Sequence, residues 1–169
     1  KFIDKFPKNA IYMRWNYQKS ETYGNQKVME WYTNNDLKVM GATAGQTRWT
    51  LMPQNQSNIP QIKSFALSSI EKNLDGLLLT LWDDDSPHFE LYKRGITAFS
   101  NYTWSGKNKS IEEFKQMFRH RMYGKEFYDD KFGFIDKLEG PVGKWLNMLL
   151  KDDVRRAEIA KSSNPEELF

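Results

Sequence analysis

Trp82-Asp83-Asp84-Asp85 sets an indole directly against three carboxylates, with His88 three residues further on. An ionised carboxylate accepts hydrogen bonds at both oxygens, so such a run suits a ligand rich in hydroxyls. Two further groups carry flat rings: Trp15-Asn16-Tyr17, and Trp49 behind Thr43, Gln46 and Arg48. A pyranose offers apolar C–H faces to rings and hydroxyls to carboxylates and amides. A carbohydrate is therefore the ligand these residue types are expected to fit together.

Each piece also has a plainer use. Trp15 and Trp82 can fill a core. Asp85 can sit at a helix start, where the helix dipole favours negative charge. Asp83, Asp85 and His88 can hold a metal ion, although the run lacks the glycine and twelfth-position glutamate of a calcium loop. Arg119-His120-Arg121 reads as a solvated helix face. No Gly-x-Gly-x-x-Gly, no Walker loop and no serine nucleophile elbow occurs.

The elements that must position these residues alternate. Strands are expected over 10–17, 37–44 and 77–82. Helices are expected over 25–34, from Pro60 with Asn58 as its cap to about Asn73, and over 89–102. Asn34-Asn35-Asp36 ends the first helix, and Gly76 serves as a stop for the second. Ile62, Phe65, Ala66, Ser69 and Ile70 form that helix's inner face. Leu77 to Trp82 is apolar without alternation, as strands buried on both faces tend to be. The order β-α-β-α-β-α argues for a parallel sheet, and ligands of such sheets sit beyond the carboxyl ends of the strands. After residue 105 everything reads helical. Ser110-Ile111-Glu112-Glu113 forms a capping box for a helix ending at Gly124. Further helices follow over about 126–138 and from Pro141. Trp31, Trp104, Tyr123 and Trp145 are expected to pack helices.

Composition bounds the partners. The chain has 169 residues, no cysteine, 25 aromatic residues (15%) and a formal net charge of +3. The aromatics argue against long disorder, and the missing cysteines exclude a disulfide scaffold or cysteine-ligated zinc. The near-balanced charge gives no reason to expect nucleic acid, and no apolar run is long enough to span a membrane. The chain opens on Lys1 rather than Met and is expected to be a processed product or an excised piece.

Gly76 to Tyr92 resembles the end of a barrel of glycoside hydrolase family 20, the β-N-acetylhexosaminidases. The eighth strand there closes with Trp, one residue, then an acid, and Trp82-Asp83-Asp84 has that form. The resemblance implies that Trp82 walls the pocket of the terminal sugar and that Asp84, or its neighbour Asp83, accepts outer hydroxyls. Trp15-Asn16-Tyr17 is similar to an earlier strand end, which makes Tyr17 a partner for the acetamido oxygen. Trp49 becomes a further pocket aromatic. The implied architecture is α/β: a partial TIM barrel of three C-terminal β/α units with parallel strands (residues 1–105), followed by an all-α extension (106–169). A complete barrel needs about 250 residues.

The family's adjacent Asp-Glu pair, which makes hydrolysis substrate-assisted and retaining, occurs nowhere in this sequence. No catalytic residue, metal or cofactor is therefore assigned. The expected role is sugar binding within a glycoside hydrolase acting on terminal N-acetylhexosamine. The expected partners are an N-acetylated glycan, the remainder of the parent barrel and a second copy in a homodimer, with no nucleic acid. A periplasmic or secreted parent fits the resemblance. The other reading is a non-catalytic module binding carbohydrate or protein.

Overall fold

The structure is a computed structural model that describes residues 2–17, 23–46, 55–82 and 92–127, with 157 and 161. Among these residues the order is β1 (Ile11–Trp15), α1 (Tyr23–Thr33), β2 (Lys38–Gln46), α2 (Asn55–Glu71), β3 (Gly76–Leu81), α3 (Lys93–Ser105) and α4 (Ile111–Tyr123). The strands form one parallel sheet in the order β1-β2-β3. The α/β class and the parallel sheet expected from the alternation are present.

Strand register decides which side chains share a face. Tyr12 lies beside Val39 and Trp15 beside Ala42, while Gly41 lies beside Leu77 and Ala42 beside Leu78. Side chains alternate between faces along a strand. Tyr12, Gly41 and Gly45 therefore point one way, and that is the helix side. Tyr12 stacks on Tyr32 of α1 at 5.4 Å between ring centroids. A Cβ on Gly41 would collide with the ring of Phe65 from α2, and one on Gly45 would lie 3.5 Å from the Gly95 backbone of α3. All three helices thus cover the same face.

The opposite face is only partly covered. Ile11, Met13, Trp15 and Leu78 remain 57%, 48%, 52% and 41% exposed. The expectation that the third strand is buried on both faces is therefore corrected: its apolar run serves a helix-covered face through Leu77 and Leu79, and an open one through Leu78.

One device closes both helix-to-strand connections. Asp36 and Asn73 take positive φ values of 54° and 50°, conformations that Asx residues tolerate better than most. The next amide then reaches back, Leu37 N–H to the Tyr32 carbonyl at 3.1 Å and Leu74 N–H to the Ser69 carbonyl at 3.0 Å. Asn73 thus ends α2, and Gly76 opens β3 instead of acting as the stop. Asp75 then fixes the start of the strand pair. Its carboxylate accepts the Val39 N–H at 2.7 Å while its own N–H donates to the Val39 carbonyl at 3.0 Å.

Other expectations are corrected in α2. The helix starts at Asn55, so Pro60 lies inside it and Asn58 is a buried helical residue instead of the cap. A proline inside a helix removes one ladder bond but does not forbid a turn ahead of it. Ile62, Phe65, Ala66 and Ser69 are buried as expected, whereas Ile70 is 49% exposed. Of the helix expected over 89–102, residues 89–91 lie outside the described residues, and its end is extended, since α3 runs on to Ser105 and ends at Gly106 in the left-handed region.

The main core lies between helices. Ile59, Ile62 and Ala66 of α2 meet Ala98 and Tyr102 of α3 and Phe114 and Phe118 of α4. The capping box is present: Ser110 Oγ accepts the Glu113 N–H at 3.1 Å, and the Glu113 carboxylate accepts the Ser110 N–H at 2.7 Å. These bonds hold the Glu113 carboxyl below its usual 4.5. Gly124 ends α4 as expected. Trp104 and Tyr123 do not pack as expected: Trp104 is 95% exposed, and Tyr123, 52% exposed, only edges Phe118 and Phe127.

Two outcomes follow. Gly95→Ala gains helix propensity of roughly 1 kcal/mol, but its Cβ would lie 2.8 Å from the Gly45 backbone. A net loss of about 1–3 kcal/mol is expected in urea unfolding, and an unchanged midpoint would refute the close contact. Burial, assisted by the Glu113 charge, pushes the Tyr102 phenol from 10.0 up to about 12. The unfolded chain then releases that proton first, so this contribution is whole below pH 10.0 and is lost as pH rises towards about 12. Tyr102→Phe should flatten the alkaline stability loss, and equal slopes for both proteins would contradict it.

Candidate strand-end aromatic site

The carboxyl ends of β1 and β3 bring three of the expected residues together. Trp15 is the last residue of β1, and Asn16 continues the pairing by donating its N–H to the Ala42 carbonyl at 3.0 Å. Tyr17 then turns over the end of the sheet. Trp82 directly follows β3. The Trp15 and Trp82 rings meet edge to face, with centroids 5.9 Å apart at 88°. Tyr17 stands against Trp82 at 6.2 Å and 72°. Edge-to-face geometry is favourable for aromatic pairs because ring edges are positive and faces negative.

Polar bonds fix the arrangement. The Trp82 indole N–H donates to the Tyr17 hydroxyl at 2.7 Å and lies 3.1 Å from Thr80 Oγ1. Thr80 has one hydroxyl proton, and its shorter bond runs to the Thr43 carbonyl at 3.0 Å, against 3.3 Å to Tyr17. The Tyr17 hydroxyl therefore accepts from the indole, and Thr80 Oγ1 at 3.3 Å is an acceptor within reach of its own proton. The Tyr92 hydroxyl donates to the Trp82 carbonyl at 3.4 Å, tying this strand end to the start of α3.

Beneath the rings lies a buried amide. Gln61 of α2 is 3% exposed. Oriented by its neighbours, it donates through nitrogen to the Tyr17 carbonyl. Its oxygen accepts from Thr43 Oγ1 at 3.0 Å and from the Ala44 N–H at 3.3 Å. One side chain thus links α2, β2 and the segment leaving β1.

Sequence reasoning named Trp15, Tyr17 and Trp82, and these converge. Trp49, Asp83 and Asp84 lie outside the described residues, as do Arg48, Asp85 and His88. Gln61, Thr80 and Tyr92 were missed. Gln61 had a signal, an amide directly beside Ile62 of the inner face. The described side chains of the cluster are neutral. Such groups bind and orient a ligand, while acid–base catalysis at neutral pH requires a group that titrates near it.

Among the described residues no group of three His, Cys, Asp or Glu could hold a metal ion, and no helix is long and apolar enough to cross a membrane. Comparison with protein-family models, curated proteins and solved structures finds no match to this chain. What this face can bind follows from its own residues.

Gln61→Leu should leave the Thr43 hydroxyl and the Tyr17 carbonyl without this partner, a cost of roughly 1–3 kcal/mol. It should also change tryptophan emission, because Tyr17 loses its anchor beneath Trp82. Native emission and stability together would show that Gln61 holds nothing.

Proposed function

We propose that the strand ends around Trp15, Tyr17 and Trp82 bind a carbohydrate, a terminal N-acetylhexosamine, as the sugar-binding side of a glycosidase-type β/α barrel resembling glycoside hydrolase family 20. The observation that carries this reading is the Trp82–Tyr17 pair. An indole stands beside a phenol whose hydroxyl is fixed by a 2.7 Å bond, and a ligand oxygen would compete for its proton with the longer 3.3 Å contact to Thr80. A pyranose ring stacks on an indole through its C–H face, and an acetamido oxygen accepts from a phenol. Asp83 and Asp84, one and two residues past Trp82, supply acceptors for outer hydroxyls in this reading.

The sequence contains no Asp-Glu pair, so the chain contributes binding and not the general acid. The open face around Ile11, Met13 and Leu78 would be covered by the rest of such a barrel, or by a second copy. The neutrality of the described cluster favours one other reading, a sugar-binding module with no catalytic partner. The two differ in what precedes the chain: strands ending in an Asp-Glu pair belong only to the first.

Titration with N-acetylglucosamine, read by tryptophan fluorescence, should give a saturable change that glucose reproduces only weakly. Trp82→Ala should weaken binding by roughly three- to tenfold, the range expected for one aromatic contact. Tyr17→Phe should erase the preference for the acetamido sugar while sparing glucose. A linear, unsaturable response in the unaltered protein would sink the proposal.

A further inference from the structure

β1 is an edge strand: among the described residues it pairs only with β2. The N–H and C=O of one strand residue point to the same side, and the side alternates along the strand. Asn16 donates its N–H to the Ala42 carbonyl of β2, so Tyr12 and Arg14 also turn their backbone groups towards β2. Ile11, Met13 and Trp15 turn theirs outward. Their side chains are the ones that stand half exposed on the open face of the sheet. Such a row of outward N–H and C=O groups is a template for another strand, and proteins usually blunt it with a charge, a proline or a bulge. β1 has no proline and no break in its register with β2, and its one charge, Arg14, lies on a residue whose backbone faces inward.

This edge is complementary to itself. About a two-fold axis through Met13, an antiparallel copy sets Met13 against Met13 and Ile11 against Trp15 at both ends. Those are the three outward residues, so each both gives and receives a backbone bond. Only apolar side chains meet on the open face. On the helix side Arg14 falls beside the second copy's Tyr12, a ring that attracts a cation, and the two arginines are kept apart. An axis through Arg14 would set the two charges directly opposite one another. An axis through Tyr12 would leave Trp15 beyond the end of the facing strand.

We propose that β1 pairs edge to edge with β1 of a second copy of this chain, antiparallel and centred on Met13, so that one sheet runs through both copies. The interface is isologous, the usual form of a two-fold dimer. It places the second copy's Ile11 beside Trp15 of the strand-end cluster. The proposal does not rest on the sugar reading. A preceding strand of a larger barrel would take the same edge, so that occupant and a second copy exclude each other.

The test uses the full chain, which contains no cysteine. A five-residue strand pair is a small interface, so sedimentation should show a dimer whose share grows with concentration. Met13→Cys sets two thiols opposite one another with Cα atoms about 5.5 Å apart, inside the range a disulfide bridges. Air oxidation with a copper catalyst should turn that variant into a covalent dimer. Ile11→Cys is no less exposed, but its two thiols lie roughly 13 Å apart along the strands, and it should cross-link about tenfold more slowly. Mixing Ile11→Cys with Trp15→Cys should restore the fast reaction. Met13→Pro removes an outward N–H and no bond to β2, and should weaken association at least about tenfold while the far-ultraviolet spectrum is kept. Should Met13→Pro unfold, the cysteine variants decide alone. A monomer at every concentration, equal rates for Met13→Cys and Ile11→Cys, or undiminished association of a folded Met13→Pro would each overturn the proposal.

Discussion

The arrangement depends on a strand that is almost bare on its helix side. Along β2 that side reads Val39, Gly41, Thr43 and Gly45. The Phe65 ring occupies the space a side chain on Gly41 would fill, and the Gly95 backbone approaches Gly45. A bulky residue at either glycine would lift α2 or α3 from the sheet. Interiors are too closely packed to absorb such a shift without moving neighbours. Because α2 lies so close, Gln61 can reach both Thr43 and the Tyr17 carbonyl. The site thus inherits its geometry from missing side chains several residues away.

The polar groups divide into two sets. At the strand ends, donors and acceptors answer one another: Gln61 with Thr43 and Tyr17, Thr80 with Thr43, Trp82 with Tyr17. A satisfied buried network is rigid, because breaking any one member strands another in low dielectric. It therefore holds the ring of Trp82, against which Trp15 stands edge to face. Asn101 of α3 is the opposite case, since its side-chain nitrogen is shut off from solvent and unpaired among the described residues. The strand-end site is organised before any ligand arrives.

Local signals were legible in the sequence wherever one residue type has one strong use. The Ser110–Glu113 capping box, the Gly124 stop and the Asn34-Asn35-Asp36 terminus all appear where sequence reasoning put them. Signals open to two uses misled. Gly76 reads as a helix stop, but Asn73 takes the left-handed conformation first, and glycine is then free to open a strand beside Met40. Pro60 reads as a first turn, although a helix can carry it further in at the loss of one bond. Trp104 reads as core by composition alone. Its 95% exposure is a tertiary fact with no local signature. The convergence of Trp15, Tyr17 and Trp82 was readable because parallel strands must end on the same side. The bonds that fix them were not, since Gln61 acts across 44 positions of chain from Tyr17.

Three adjacent parallel strands in sequence order, with their helices on one side, are what consecutive β/α units produce in a barrel and in half of an open sheet alike. The opposite face, on which none of the described helices lies, separates the two. An open doubly wound sheet puts further helices there, whereas a barrel turns that face inward onto its own strands. On this face Ala42 and Ala44 are buried while Ile11, Met13, Trp15 and Leu78 stand half exposed on either side. Small residues down the centre and large ones at both margins form a shallow trough along the strands. A trough of this shape can receive a helix, just as the bare helix side of β2 receives α2 over Gly41, and it can equally receive side chains that curve over from neighbouring strands. Residue size on this face therefore fixes how deep a covering layer sits, and leaves its kind open to both architectures.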